Sequence, residues 1–487
     1  MIRSRLARVP VALRCLLLVA ALQAAAWAIV TPPFQGPDEA AHFGYAQYLA
    51  ETGDPPSSVG GIMSDSTEAG TALVWLGLRP LIGIPQARPA WSEADQGGWK
   101  ELEERLPATA QVDGSGPNAV AKNPPLYYFY AAIPYKLLSG ASLFDRLFAM
   151  RAFNALLYLG TVTLMWLIAA ELFARTWVRT LATAAVALQP MLAFMGGGAI
   201  NPDTLMVTIW TAFILFAVRM ITRGPSLGMV VGLFGAGAAA LCTHGRGIAI
   251  VPALLVVLVL GLARGWPGLR AAATRVGAGG ALFIALVGLY RIAFVASGGG
   301  ALYGGEINVP TQSFRIGQLL TTTWQFYFPR LGFMEPRLGV EYGYRQVLIE
   351  SFFGSFASLE ATLPVGVLDL LQVGAFIGVL AFALALWERR AGFRRHWPLV
   401  VALGATGLSL FALLHAASYR AILGTPNDPL IVGRYFLPLV ALFGLAIAFT
   451  VQTLPERAGR WVATGLVCFG ALLSLTSIGV TAMRFYV

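Results

Sequence analysis

Apolar stretches of about 18 to 24 residues, each enough to cross the roughly 30 Å hydrocarbon core of a bilayer, recur along the chain. Their spacing predicts spans near 9–30, 152–173, 178–197, 203–221, 226–243, 247–263, 276–297, 365–387, 397–416, 433–453 and 460–481. In lipid every backbone N–H and C=O must be satisfied within the protein, and runs of this length do so as helices. Composition agrees: 57% of the 487 residues are hydrophobic and 12% charged, against roughly 25% charged in soluble domains. The expected fold is all-α and polytopic, one integral membrane domain over 1–487 with about eleven transmembrane helices.

A formal charge of +10 would suggest a nucleic-acid partner in a soluble protein. Here the basic residues fall in short clusters between apolar runs, the pattern of cytoplasmic loops, so the bilayer is the expected partner and nucleic acid is not. Cys15, Cys242 and Cys468 lie far apart within apolar segments, which predicts core packing rather than a disulfide framework. Arg3, Arg5, Arg8 and Arg14 precede or enter the first run, which ends in Ala24-Ala25-Ala26-Trp27-Ala28. That end imitates a signal-peptide cleavage site, but the run is long enough to stay as an uncleaved signal-anchor.

Segment 124–138 is short, aromatic and opens with two prolines. If it crossed, every arginine-rich short loop after it would lie outside. If it lies along the surface, Arg175/Arg179, Arg219/Arg223, Arg264/Arg270/Arg275, Arg389/Arg390/Arg394/Arg395 and Arg457/Arg460 all lie inside, as the positive-inside rule requires. It is therefore expected to be an interfacial helix with Tyr127, Tyr128, Phe129 and Tyr130 at the headgroups. Two large outer loops follow, 31–151 and 298–364, with the C-terminus outside. Loops of that length are usually functional.

The first outer loop opens on Pro37-Asp38-Glu39-Ala40-Ala41-His42. Titratable groups at a membrane boundary must stay wet, pair, or do chemistry. In a helix Asp38 and His42 share a face; they can serve as a general base or hold a divalent metal ion, or Asp38 can simply cap the helix. Lys122 and Asn123 precede Pro124-Pro125-Leu126-Tyr127-Tyr128, where the lysine suits a phosphate or an anchoring belt. The turn from Pro190 to Asn201-Pro202-Asp203 lies on the same outer side, Asp203 facing the Asp38 site or capping the next helix. Gly433-Arg434-Tyr435-Phe436-Leu437-Pro438 and Thr243-His244-Gly245-Arg246-Gly247 also sit at outer boundaries. An arginine there must face water, a partner or an anionic ligand.

The Asp38-Glu39 pair after the first span, the Lys122-Asn123-Pro124-Pro125-Leu126-Tyr127-Tyr128 motif and Arg151 opening the second span together resemble the C-type fold (GT-C) membrane glycosyltransferases. The Pro190…Asn201-Pro202-Asp203 turn and Gly433-Arg434-Tyr435-Phe436-Leu437-Pro438 are similar to a bacterial subgroup of predicted membrane proteins without assigned substrate. The resemblance covers the chain to about residue 220 and the region 425–440. It implies a polyprenyl-phosphate-linked sugar donor, and an envelope glycan, lipid or protein acceptor, at the outer face of the cytoplasmic membrane. By that resemblance Asp38 is the general base, with Glu39 as alternate. Lys122 and Arg434 bind the donor phosphate, with Arg246 as a third cation. His42, Asn123, Tyr127, Tyr128, Arg151, Asn201, Asp203 and Tyr435 complete the substrate site. Asn123 stands where many relatives carry a lysine, and the resemblance assigns no secure metal site, leaving the divalent ion at Asp38 and His42 as a reading of the residues alone. Trp324, Phe326, Tyr327, Glu335, Glu341 and Tyr342 are candidates for the acceptor side. The rival class is a transporter or lipid-linked glycan flippase, which would place charges deep within several spans; here the middles of the spans are almost uncharged.

Overall fold

The computed structural model describes residues 9–56, 64–82, 116–295, 314–335, 344–424 and 431–487, with a few single positions between. Helices dominate. They are α1 (Val11–Val30), α2 (Glu39–Thr52), α3 (Thr67–Trp75), α4 (Leu126–Leu137), α5 (Leu143–Leu172), α6 (Thr176–Ala187), α7 (Pro190–Gly197), α8 (Asp203–Arg223) and α9 (Leu227–Thr243). There follow α10 (Ile250–Arg264), α11 (Leu269–Tyr290), α12 (Ile316–Tyr327), α13 (Tyr344–Phe353), α14 (Val365–Glu388), α15 (Arg390–Gly424), α16 (Val440–Val451) and α17 (Glu456–Tyr486). The strands described, Ser355–Phe356 and Ala361–Thr362, form one small antiparallel hairpin.

Among the described residues nine helices are long and apolar enough to cross a membrane. The pair α6–α7, bent by 58°, is a tenth candidate, and the 17-residue α9 is a shorter apolar helix. The expected spans thus fall on helical segments, 178–197 on a bent pair, and length and composition qualify nine or ten as crossing rather than eleven. The α6–α7 bend has a local cause. Pro190 has no N–H to continue the ladder, and the Gln189 side chain caps the new helix by accepting from the Leu192 N–H. Helix α8 is the axis of the bundle: 72% of its apolar window is buried, against 11% for α11 and for α14, which present most of their surface outward. Cys242 is buried, but Cys15 and Cys468 are exposed on α1 and α17, so the expected core packing holds for one cysteine of three.

The basic loops gather at one end of the bundle. Arg219 and Arg223 pair with Glu171, Arg175 lies 3.8 Å from Glu456, Arg275 donates to the Pro225 carbonyl and Arg264 to that of Arg395. The opposite end carries a second hydrophobic cluster, built on Phe34, Phe43, Tyr45, Tyr127, Tyr128, Tyr135, Leu143 and Ile200. Helix α4, with 12 residues, rises only about 18 Å and is too short to cross. Tyr127 and Tyr128 do not face headgroups as the sequence suggests; they are buried in this cluster, and of the four aromatics only Phe129 is exposed. Their hydroxyls can be buried because they find polar partners.

Helix α5 starts at Leu143, so Arg151 sits about two turns inside it rather than opening it. The two arginines of this early stretch are paired within the protein. Arg146 meets Glu68 at 2.9 Å and the Tyr135 hydroxyl at 2.6 Å, and Gln47 donates to the other Glu68 oxygen. In the second outer loop Phe326 is buried, and Tyr327 bonds His415 at 3.0 Å. Glu335 pairs with Arg330, and Trp324 is partly exposed. Glu341 and Tyr342 lie outside the described residues.

Candidate active site

At the end of the bundle remote from the basic loops, a cavity of about 160 Å³ is lined by Asp38, His42, Asn123, Asn201, Asp203, His244, Arg246, Arg434 and Tyr435, with Ala119, Val120 and Pro202. Its walls come from five segments far apart in sequence: the start of α2, the 119–123 turn, the 201–203 turn, and the helical turns that carry His244 with Arg246 and Arg434 with Tyr435.

The first turn is fixed by Arg151. Its Nε and Nη2 donate to the two oxygens of Glu39 at 2.8 and 2.6 Å. Nη2 also donates to the Pro32 carbonyl, and Nη1 to those of Thr31 and Ala28. All five guanidinium donors are thereby used, the geometry in which a buried arginine is well compensated. Glu39 accepts further from the backbone N–H groups of Gly36 and Ile200, each at 3.1 Å. One carboxylate thus ties the 31–39 turn to α5 and to the 198–203 turn. A side chain at Gly36 would sit 2.7 Å from the Ala199 Cβ, so only glycine lets these two turns meet. Glu39 does not line the cavity; the residue expected as an alternate base is the structural tie. Replacing it by Gln leaves Arg151 buried without its counter-charge. A loss of about 3–5 kcal/mol of stability is expected, read as a lowered thermal midpoint in detergent that Asp38→Asn does not share.

Asp38 has the opposite character. It is exposed into the cavity and stands at the N-terminus of α2 in the left-handed region, φ 54° and ψ 21°. Its side chain makes no capping bond, so the capping role that the sequence allowed is not the one adopted. Left-handed backbone costs an L residue about 1–2 kcal/mol, least for Asp and Asn. Strain of this kind, in a carboxylate left free toward a cavity, is characteristic of functional positions.

Asn201 joins the turns. Its Nδ2 donates to the Pro37 carbonyl at 3.2 Å and lies 3.3 Å from His42 Nε2, while its Oδ1 accepts from the Asp203 N–H at 2.9 Å. With Nε2 facing an amide donor, His42 carries its proton on Nδ1 and donates to the Tyr128 hydroxyl at 2.8 Å. That hydroxyl also accepts from Asn123 at 3.0 Å. Burial holds the His42 imidazole down to about 4; the charges of Asp38 and Asp203 oppose the shift and Arg434 adds to it. Between pH 6.5 and about 4 the unfolded chain therefore takes up a proton that the folded chain refuses, and stability falls as pH falls across that window. The drop is about 3 kcal/mol. It is measured as thermal midpoint against pH, and His42→Asn is expected to flatten the slope.

Two further segments contribute cations of unlike status, Arg246 from the helical turn Gly245–Ala249 and Arg434 from the helical turn Gly433–Leu439. Arg246 is committed: its Nη2 donates to Asp203, its backbone N–H and Nε approach His244 Nδ1 at 3.2 and 3.3 Å, and its guanidinium stacks 4.0 Å over Tyr435. Arg434 is not. It is 8% exposed, and its Nε and Nη1 are buried with no hydrogen-bond partner among the described residues. Gly433 places it there. The Gly433 N–H donates to Ser351 Oγ at 2.6 Å, and a Cβ would fall 1.9 Å from the Leu348 carbonyl oxygen. No other residue fits.

The cavity therefore collects Asp38, His42, Asn123, Asn201, Asp203, Arg246, Arg434 and Tyr435 from the expected set, and adds His244. His244 shares a boundary motif with Arg246, the signal by which it belongs in the set. Glu39, Lys122, Tyr127, Tyr128 and Arg151 do not line it. Lys122 is exposed outside it, Tyr128 supports His42 from behind, and Tyr127 and Arg151 hold the frame. Among the described residues no three His, Cys, Asp or Glu side chains come together closely enough to hold a metal ion. Asp203 is taken by Arg246 and His42 Nε2 faces an amide, so the residues present do not fit the divalent ion that Asp38 and His42 suggested.

The family model described as "Predicted membrane protein (DUF2142)" matches residues 22–443. The chain belongs to this family. No curated protein matches it. Among solved structures, ArnT from Cupriavidus metallidurans in the apo state is similar over 96% of this chain and 74% of its own, at 14% identity and a TM-score of 0.47. The same protein bound to undecaprenyl phosphate gives 96%, 74%, 13% and 0.41. The apo oligosaccharyltransferase of Archaeoglobus fulgidus gives 13% identity and a TM-score of 0.49. There the similarity covers 96% of this chain and 56% of the oligosaccharyltransferase, little more than half its length.

Proposed function

We propose that this family member transfers a sugar from a polyprenyl-phosphate-linked donor to an acceptor hydroxyl at the outer face of the cytoplasmic membrane. One observation carries it: a buried arginine with unanswered donors, Arg434, shares a small cavity with a free carboxylate, Asp38. Buried guanidinium donors left without acceptors are costly, a cost that an anionic ligand removes. Asp38 accepts the proton of the acceptor hydroxyl as that oxygen bonds to the anomeric carbon. The bond from that carbon to the phosphate oxygen breaks, its electron pair leaves with the phosphate, and Arg434 neutralises the developing charge. Arg246, held by Asp203 and Tyr435, shapes the phosphate side, and Asn123, whose carboxamide is only partly engaged by Tyr128, offers hydrogen bonds to the sugar.

The five basic loops at the other end of the bundle support the outer-face reading. The ion pairs described among the spans lie near the two ends rather than along a conduit, which favours transfer over transport. The test is turnover in proteoliposomes: purified protein, labelled polyprenyl-phosphate sugars and a pool of envelope glycans, lipids and peptides. Acceptor-dependent release of polyprenyl phosphate is expected. Passage of intact donor between leaflets with no transfer would instead establish the flippase.

A further inference from the structure

Asp203 sits in the cavity wall as a second carboxylate, yet it is bonded to Arg246, and so each cancels the other's charge. The stacking of Arg246 on Tyr435 and its contacts with His244 hold it in that pairing. Among the described residues this leaves the cavity with Arg434 as its free cation and Asp38 as its free anion. From this balance we infer that Asp203 sets the charge of the donor linkage: by occupying Arg246 it restricts the site to a single-charge phosphodiester and rejects a diphosphate. A second phosphoryl group would reach into the Arg246 corner, find that guanidinium already neutralised, and leave its added charge unanswered in a cavity that also holds the free Asp38 carboxylate. Like charges brought this close in a partly desolvated cavity repel strongly. Asp203 touches no reacting atom in this scheme; it acts on specificity through Arg246.

The inference rests on the donor reading above, and the test separates the two. The probes are two non-reactive lipids with a methyl group in place of the sugar: farnesyl methyl phosphate, with one negative charge, and P1-farnesyl P2-methyl diphosphate, with two. Binding is measured to purified full-length protein in detergent. Wild type is expected to favour the monophosphate by about tenfold or more. In Asp203→Asn the freed Arg246 offers a second cation, and diphosphate affinity is expected to rise by about tenfold, shrinking or reversing the ratio. Asp203→Ser, which keeps a short hydrogen-bonding side chain at the head of α8, is a second charge-removing variant should the first fold poorly. The double variant Asp203→Asn/Arg246→Gln removes both charges and is expected to restore the wild-type preference. An unchanged ratio in folded Asp203→Asn and Asp203→Ser that still bind the monophosphate overturns the inference and leaves the donor reading standing. Binding of neither probe by wild type overturns the donor reading itself.

Discussion

Replacing Asp38 by Asn is expected to lower sugar transfer by about 10²–10⁴-fold, the usual contribution of a positioned general base, with little change in stability. Asparagine is the informative substitution because of the backbone. Position 38 has φ 54°, which Asn tolerates almost as well as Asp, whereas Ala would add roughly 1–2 kcal/mol of left-handed strain. The side chain makes no capping bond to lose. Donor binding should survive, since Arg434 remains and one negative charge near the phosphate is gone. A defect in the chemical step with unimpaired donor affinity distinguishes a base from a merely structural carboxylate. The neighbour supplies the contrast: Glu39→Gln is expected to fail through stability, because Glu39 anchors Arg151 and two backbone turns.

Replacing Arg434 by Met is expected to move two properties in opposite directions. Transfer should fall by about 10²–10³-fold, the cost of removing a preorganised donor to developing charge. Stability of the ligand-free protein should rise, by about 1–3 kcal/mol, because two buried N–H-bearing atoms that lack partners are replaced by an apolar chain of similar length. Activity gained at the expense of stability is typical of functional sites. Thermal midpoints without and with farnesyl methyl phosphate measure it: the ligand should stabilise wild type and leave the variant unmoved. A variant less stable than wild type would mean that Arg434 has a structural partner, and its assignment to the donor phosphate would fall.

The spans were the legible part of the fold because lipid leaves few alternatives: the apolar runs fall on helices, although 178–197 is broken into two by a 58° bend. Less legible were features set by distant partners. The early part of α5 carries Asp145, Arg146 and Arg151 and does not look like the start of an apolar helix. It becomes one because Arg146 and Arg151 find carboxylates 78 and 112 residues earlier. The aromatic run 127–130 reads as an interfacial belt, yet Tyr128 is buried because His42 and Asn123 supply partners for its hydroxyl. The same holds at the site. That titratable residues at one set of helix ends would converge was readable from the alternation of spans alone. Which of Asp38 and Glu39 faces the cavity was not, since the answer lies in one positive φ and in Arg151. The resemblance ranked Arg434 above Arg246, and geometry gives the reason: Arg246 is bonded to Asp203, whereas two buried donors of Arg434 have no acceptor among the described residues.

The most direct test of the site is where a donor analogue lies. A polyprenyl methyl phosphate carrying a photoreactive diazirine beside the phosphate would be crosslinked to the purified protein and the labelled peptides mapped. The expected labels fall on segments containing Asp38 and His42, Asn201 and Asp203, His244 and Arg246, or Arg434 and Tyr435. They should be displaced by unlabelled farnesyl methyl phosphate and lost in Arg434→Met. Labelling concentrated elsewhere and undiminished in that variant would contradict a donor site in this cavity.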